Sequence, residues 1–201
     1  MGDAGRSGEC DARAVLTGNG ITKLYLVRHA FAAHADPEQW PDDAQRPLTP
    51  DGIRKFRAAA RALRLVVPSV DVVLSSGYSR AWETAVLLHD VTGWPGPLEC
   101  PPLEAGAAAS SAVDILRGRS EDSVALVGHE PHLSNLASIL CAGDEGFPLE
   151  LKKGGVVHLR FDEEVGPGRG RLRWALSPKI LRTIDAASHQ AERGHAALDQ
   201  A

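Results

Sequence analysis

The sequence lacks any long hydrophobic run. None of its 201 residues belongs to an apolar stretch of about 18 residues or more, the length that a membrane-spanning helix requires. Residues 1–20 carry acidic residues and glycines where a secretory signal peptide would have an apolar segment. We therefore exclude a transmembrane helix, and we expect a cytoplasmic protein that does not act on a membrane.

Cysteine and net positive charge are also scarce. The three cysteines, Cys10, Cys100 and Cys141, are too far apart to form a metal-binding motif or a disulfide framework. The net charge is −4, which argues against general binding of nucleic acid. If the protein binds anions, it must do so through a local cluster of positive charge.

Short apolar strands alternate with amphipathic helices along the chain. Strands are predicted at 22–28, 71–76 and 123–129, each followed by a helical pattern, and two later strands form a hairpin. In the first helix, Thr49 is the predicted N-cap and Pro50 the first helical residue. This order predicts an α/β protein, a three-layer α/β/α sandwich whose central sheet is mostly parallel, with some antiparallel pairing near the C-terminus.

The composition predicts one domain with two polar ends. Residues 1–20 contain little apolar material, and we expect them to form a flexible tail. Residues 186–201 are also polar and are interpreted as a C-terminal tail, which could form a short frayed helix. The single domain is therefore expected to span residues 21–185.

Polar residues follow three of the predicted strands. Arg28 and His29 end the first strand, Arg80 follows the second in "SSGYSR", and His129 ends the third. In open α/β sheets, ligands bind beyond the carboxyl ends of the strands. We therefore expect these four side chains to converge at one edge of the sheet.

Two arginines and two histidines suit the chemistry of a phosphoryl group. Guanidinium groups present paired N–H donors that match phosphoryl oxygens. A histidine can attack phosphorus when a backbone carbonyl holds its other ring nitrogen as N–H, and a second histidine can donate to the oxygens as charge develops. Such a site works by positioning and electrostatic stabilisation, and it requires neither a metal nor a cofactor.

At these residues the sequence resembles the histidine phosphatase superfamily, which also contains the cofactor-dependent phosphoglycerate mutases. "LVRHA" is similar to the family's strand followed by RHG, "RPLTPDG" to its LT-x-x-G element, "VLSSGYSRAWET" to S-x-x-x-R-A-x-x-T, and "LVGHEP" to the later GH. These elements occur in the family order over about residues 22–140. The closing "GGVVHLRF…RLRWALSP" is similar to the small phosphohistidine phosphatases, the SixA-like subgroup.

The resemblance implies a phosphoglycerate mutase-like fold and phosphatase activity. It implies that His29 is the nucleophile and becomes transiently phosphorylated, and that Arg28, Arg80 and His129 bind the phosphoryl group. Ala30 stands where the family commonly has glycine. Alanine is compatible with that position unless the backbone there requires a positive φ angle, so we expect activity to survive.

Several other polar residues are candidates for positions at the edge of the site. Glu104, in "CPPLEAGAAA", is the candidate for the carboxylate general acid of larger family members, and the alternative is an exposed loop glutamate. Arg46 either extends the positive rim as a substrate-binding residue or forms a surface salt bridge. His34 could line the entrance, and Lys152 and Lys153 could add to the basic rim, but solvent-exposed surface residues are the favoured interpretation of all three.

The expected substrate is a phosphorylated protein or a small phosphorylated metabolite. Expelling an alkoxide favours a proton donor, whereas the imidazole of phosphohistidine leaves easily because its reference pKa is about 6.5. The short segment between residues 103 and 118 also leaves little material for a lid, so a protruding side chain could enter. We therefore favour a metal-independent phosphatase that acts on protein phosphohistidine through a covalent phosphohistidine intermediate. The alternatives are a phosphomonoesterase of sugar or nucleotide phosphates and a non-catalytic phosphate-binding module.

Overall fold

The computed structural model describes residues 21–198, which form one six-stranded sheet with helices on both faces. The strands, in chain order, are β1 (Lys23–Arg28), β2 (Val72–Ser75), β3 (Pro97–Glu99), β4 (Ser123–Gly128), β5 (Val156–Arg160) and β6 (Arg171–Leu176). The α-helices are α1 (Pro50–Val66), α2 (Ser79–Thr92), α3 (Ala109–Arg117), α4 (His132–Ala142) and α5 (Pro178–Leu198). Short 3-10 turns lie at Asp43–Gln45 and Pro101–Leu103.

The sheet is mixed, and its order across the molecule is β3-β2-β4-β1-β5-β6. The first four of these strands are parallel to one another, whereas β5 pairs antiparallel with β1, and β6 antiparallel with β5. The predicted α/β class, with a mostly parallel sheet and antiparallel pairing near the C-terminus, is confirmed.

Two hydrophobic cores make the three layers. On one face of the sheet α3 and α4 are packed through buried residues that include Val113, Leu116, Leu133 and Leu136. On the other face α1, α2 and α5 are packed through buried residues that include Phe56, Leu63, Leu88 and Leu181. Because both faces are covered, β4 is buried along its whole length.

The start of α1 agrees with the sequence prediction and is held against the loop after β1. The Thr49 side chain accepts a hydrogen bond from the Gly52 backbone N–H at 2.9 Å, and Pro50 occupies the first helical position. A β-carbon at Gly52 would overlap the carbonyl oxygen of Phe31. The helix therefore approaches the residues after His29 as closely as a glycine allows.

The C-terminal helix extends further than the predicted domain boundary. The polar stretch 186–201, interpreted as a tail, continues α5 as far as Leu198. Arg61 of α1 donates two hydrogen bonds to Asp185, at 2.9 and 2.7 Å, and so fixes α5 to the domain. The remainder of that stretch and the predicted tail at residues 1–20 lie outside the described residues.

Within residues 21–198, no helix is both long enough and apolar enough to cross a membrane.

Candidate active site

The four predicted residues lie together at the carboxyl edge of the parallel strands. Arg28 and Gly128 are paired at the ends of β1 and β4, so His29 and His129 leave the sheet side by side. Their ring centroids are 5.2 Å apart. Arg80 stands in the first turn of α2, which follows the neighbouring strand β2. His29, Arg80 and His129 are all buried.

His29 is held in one tautomer by its own chain. The Nδ1 atom lies 2.7 Å from the carbonyl oxygen of Ala30, and because a carbonyl only accepts, Nδ1 carries the proton and donates. The Nε2 atom therefore keeps its lone pair. Burial, followed by the charges of Arg80 and Arg28, lowers the pKa of His29 to about 3, so the imidazole is neutral near pH 7.

The backbone around His29 is fixed on several sides. The N–H of His29 donates to the carbonyl of Gly128 at 3.0 Å, and the carbonyl of His29 accepts from the N–H of Gly154 at 3.0 Å. The N–H of Ala30 donates to the Thr84 hydroxyl at 3.0 Å. No non-glycine residue among those described has a positive φ angle. Alanine at position 30 is therefore unstrained.

Both arginines are oriented by carbonyl or carboxylate oxygens. Arg80 donates through Nη1 to the backbone carbonyl of Asp43 at 2.7 Å and pairs through Nη2 with the Asp43 carboxylate at 2.9 Å. Arg28 donates through Nη1 to the carbonyl of Leu151 at 2.8 Å. The Nε atoms of both arginines are buried and have no hydrogen-bond partner. Buried donors of this kind are costly to leave unpaired, and the oxygens of an anion would satisfy them.

His129 is positioned by the loop that connects β2 to α2. Its Nε2 atom lies 2.9 Å from the hydroxyl of Ser76, and that hydroxyl also accepts the N–H of Tyr78 at 3.2 Å. Burial, followed by the proximity of His29 and Arg80, lowers the pKa of His129 to about 3. Two neutral imidazoles thus face two charged guanidinium groups.

Arg46 and Lys153 add to this positive cluster. Arg46 pairs with Asp43 at 2.7 Å and donates to the carbonyl of Ala33 at 2.8 Å, so the predicted salt bridge forms at the rim itself. Burial, followed by the charges of Arg28, Arg46 and Arg80, lowers the pKa of Lys153. Lys153 is half-buried, and its position beside these arginines favours the alternative that it adds to the basic rim. The chain turns back at Gly154, whose N–H donates to the carbonyls of Arg28 and His29.

Lys152 and His34, by contrast, are exposed as predicted. The Lys152 ammonium pairs with the Glu150 carboxylate.

Glu104 lies beside the loop that leads to Arg80. It follows the 3-10 turn Pro101–Leu103, and its Oε1 atom is 3.5 Å from the position that a β-carbon would take at Gly77. A second carboxylate, that of Glu99 at the end of β3, would overlap a β-carbon at the same place. Two carboxylates therefore converge on the loop residues 76–78.

Three residues that shape the site have no assigned role in the sequence interpretation. Ser76 and Thr84 stand at fixed positions of "VLSSGYSRAWET", and that motif was the available signal for both. Asp43 is different because its pairing with Arg80 joins residues 37 positions apart. Nothing in "PDDAQRP" distinguishes it from the neighbouring acidic residue.

The arrangement suits a phosphoryl dianion. Two arginines, a lysine and an N–H-bearing imidazole surround a histidine whose other nitrogen keeps its lone pair. Within residues 21–198, no group of three or more His, Cys, Asp or Glu residues is arranged to hold a metal ion.

Comparison with known proteins gives consistent matches. Residues 24–102 match the family model described as histidine phosphatase superfamily (branch 1). An uncharacterized protein of Picosynechococcus sp. is 30% identical over 141 residues, which cover 69% of this chain and 84% of the relative. The phosphohistidine phosphatase SixA of Escherichia coli is 26% identical, with 82% of this chain and 99% of SixA covered. A solved structure of the protein histidine phosphatase SixA with tungstate superposes with a TM-score of 0.69 at 26% identity, covering 79% of this chain and 99% of that one.

Proposed function

The chain belongs to the histidine phosphatase superfamily and is a phosphatase, and we propose that it hydrolyses protein phosphohistidine through a covalent intermediate on His29. The observation that carries this proposal is the hydrogen bond from His29 Nδ1 to the carbonyl of Ala30. It leaves Nε2 unprotonated, and the low pKa of the ring keeps it so near neutral pH.

The proposed reaction has two displacements at phosphorus. In the first, the lone pair of His29 Nε2 forms a bond to phosphorus while the bond to the substrate imidazole breaks, and that imidazole leaves with the electron pair and takes up a proton from solvent. In the second, a water oxygen attacks phosphorus, the bond to His29 breaks, and the electron pair returns to Nε2. The proton of the water leaves with inorganic phosphate or passes to solvent.

The side chains around His29 have separate roles in this scheme. Arg28 and Arg80 bind the phosphoryl oxygens, and their unpaired Nε donors supply part of that binding. His129 donates to an oxygen on which charge develops in both transition states. The carbonyl of Ala30 stabilises the positive ring of phosphorylated His29 through the Nδ1 proton.

Two observations favour phosphohistidine as the substrate. The E. coli relative is a phosphohistidine phosphatase, and this chain covers 99% of it. Between β3 and β4 the chain forms one 3-10 turn and the nine-residue α3, which is little material to enclose a small ligand. An open site admits a side chain that projects from another protein.

The test is to trap the phosphoenzyme. Wild-type protein exposed briefly to a labelled phosphohistidine peptide should acquire label that is labile in acid and stable in base, and it should release inorganic phosphate. The His29→Ala variant should acquire no label and release no phosphate, with an unchanged circular dichroism spectrum. Turnover by His29→Ala, or a wild-type protein that never carries acid-labile label, would overturn the proposal.

A phosphomonoesterase is the second candidate, and the position of Glu104 beside residues 76–78 favours it. In that case the Glu104 carboxyl would donate a proton to the leaving alkoxide. Glu104→Gln should then lower turnover of sugar and nucleotide monophosphates by about 100-fold or more. With phosphohistidine as the substrate, the same variant should retain turnover within about threefold because imidazole needs less assistance. Glu99→Gln is the matched control, because Glu99 approaches the same loop from β3.

A further inference from the structure

An open pocket adjoins the active site on the side of Ala30. It lies between the loop after β1, the first turns of α1 and α5, and the turn before β5. We call it the Phe31 pocket; its lining residues are Ala30, Phe31, Gly52, Lys55, Phe56, Lys153, Gly154, Pro178 and Arg182. It shares Ala30 with the backbone that holds His29, and Gly154 bonds the His29 carbonyl.

The aromatic ring at the mouth of the pocket is unusually exposed. Phe31 is 45% exposed although its backbone is fixed, since its carbonyl accepts the N–H of Thr49 at 3.0 Å. The ammonium groups of Lys55 and Lys153 lie 5.9 and 5.8 Å from the ring centroid. The ring is thus an apolar surface bordered by two cations.

No carboxylate lines this pocket, whereas three cations do. Lys55 pairs with Asp51 at 2.6 Å, but Asp51 lies outside the lining. Lys153 and Arg182 form no ion pair with a carboxylate among residues 21–193. In a protein whose net charge is −4, this local excess of positive charge selects for an anionic ligand.

We propose that the Phe31 pocket binds an acidic side chain of the phosphoprotein substrate, located next to the phosphohistidine in its sequence. The carboxylate lies among Lys55, Lys153 and Arg182, and the methylene groups of the acidic residue pack on Phe31. This inference rests on the proposed function and adds a sequence preference to it. A protein is the fitting partner because the pocket is open, and an extended chain passing from His29 reaches it within a few residues.

The experiment compares two phosphohistidine peptides that differ only in whether the flanking residues are glutamate or glutamine. Wild-type kcat/KM should be roughly 3- to 10-fold higher for the glutamate peptide, the range expected of two or three exposed ion pairs, and the preference should shrink as salt is added. In the double variant Lys55→Gln/Arg182→Gln, the preference should disappear while turnover of the glutamine peptide stays unchanged.

The matched control is Arg57→Gln/Arg64→Gln, which removes the same charge from exposed positions of α1 outside the pocket. It should keep the preference. Equal kcat/KM for the two peptides in the wild type, with both hydrolysed, would overturn the inference and leave the proposed function intact. If the control variant loses the preference to the same extent, the preference depends on the net charge of the protein and not on the pocket, and the inference is overturned. Failure to hydrolyse either peptide would overturn the proposed function and, with it, this inference.

Discussion

A free neutral imidazole can carry its proton on either ring nitrogen, but the structure around His29 allows only one of these two tautomers. The Ala30 carbonyl fixes that proton on Nδ1, and burial beside two arginines keeps the ring neutral. The carbonyl itself must then be held in place. The N–H of the same residue does this by donating to Thr84, a hydroxyl buried inside α2.

Thr84→Val should therefore lower kcat, although the Thr84 side chain does not bind the substrate in the proposed mechanism. Valine has a similar shape but cannot accept the N–H of Ala30, which would be left buried and unpaired at a cost of about 1–3 kcal/mol of folding stability. The resulting shift of the Ala30 carbonyl should lower kcat by about 10- to 100-fold with little change in KM. Steady-state kinetics and urea unfolding measure the two effects.

Thr84→Ser keeps the hydroxyl and is the control for that substitution. It should restore kcat to within a few-fold of the wild type, because serine can still accept from Ala30 and donate to the carbonyl of Arg80. If Thr84→Val loses stability but keeps its kcat at temperatures where it is folded, Thr84 does not position His29.

At the scale of whole elements, the site depends on how α1 meets the loop after β1. Two backbone hydrogen bonds join this loop to the segment that leads into α1. The Thr49 N–H donates to the Phe31 carbonyl at 3.0 Å, and the Ala33 N–H donates to the Pro47 carbonyl at 2.9 Å. Gly52 permits this contact because a β-carbon there would overlap the Phe31 carbonyl. The loop that follows His29 is thereby fixed to the helix that lines the neighbouring pocket.

Gly52→Ala should consequently destabilise the protein by about 1–3 kcal/mol, the usual cost of overpacking against rigid backbone. Displacement of residues 30–33 should lower activity as well. Gly96→Ala is the control, since a β-carbon at Gly96 has open space around it, and it should change stability by less than about 0.5 kcal/mol. Thermal unfolding of the two variants measures the difference in stability. Equal melting temperatures for Gly52→Ala and Gly96→Ala would contradict this account of the contact between α1 and the loop.

The same elements show which features a sequence can predict. The ends of β1 and β4 were predictable because buried apolar runs stop abruptly at Arg28 and His129. Strand β3 was not, since it has only three residues and begins with proline. The polar second half of α5 conceals its helical continuation, and the fixing contact between Arg61 and Asp185 joins residues 124 positions apart. Contacts of that kind arise from the tertiary fold and leave no local pattern.

For the molecule as a whole, several buried or half-buried histidines make the folding stability depend on pH. Burial lowers the pKa of His29 and His129 to about 3 and that of His158 to about 4. In the unfolded chain these groups bind protons near pH 6.5. Between pH 6.5 and about 4 the unfolded state therefore holds more protons than the folded state, and stability falls as the pH is lowered through that window.

His158 allows this linkage to be tested away from the active site. Its ring stacks on Tyr25 at a centroid distance of 4.6 Å and lies 5.2 Å from Trp174, and both ring nitrogens are buried without a hydrogen-bond partner. Phenylalanine can occupy the same space and cannot titrate. His158→Phe should therefore keep phosphatase activity, and at pH 7 it should be at least as stable as the wild type.

The expected difference appears on acidification. Urea unfolding at a series of pH values from 7 to 4 should show that the variant takes up about one proton fewer on unfolding than the wild type, because the His158 contribution is gone. His29→Gln is the comparison, since it should also remove about one proton from the linkage but should abolish turnover. If His158→Phe and the wild type lose stability in parallel down to pH 4, the imidazole of His158 is already protonated in the folded protein, and the acid sensitivity of the fold lies elsewhere.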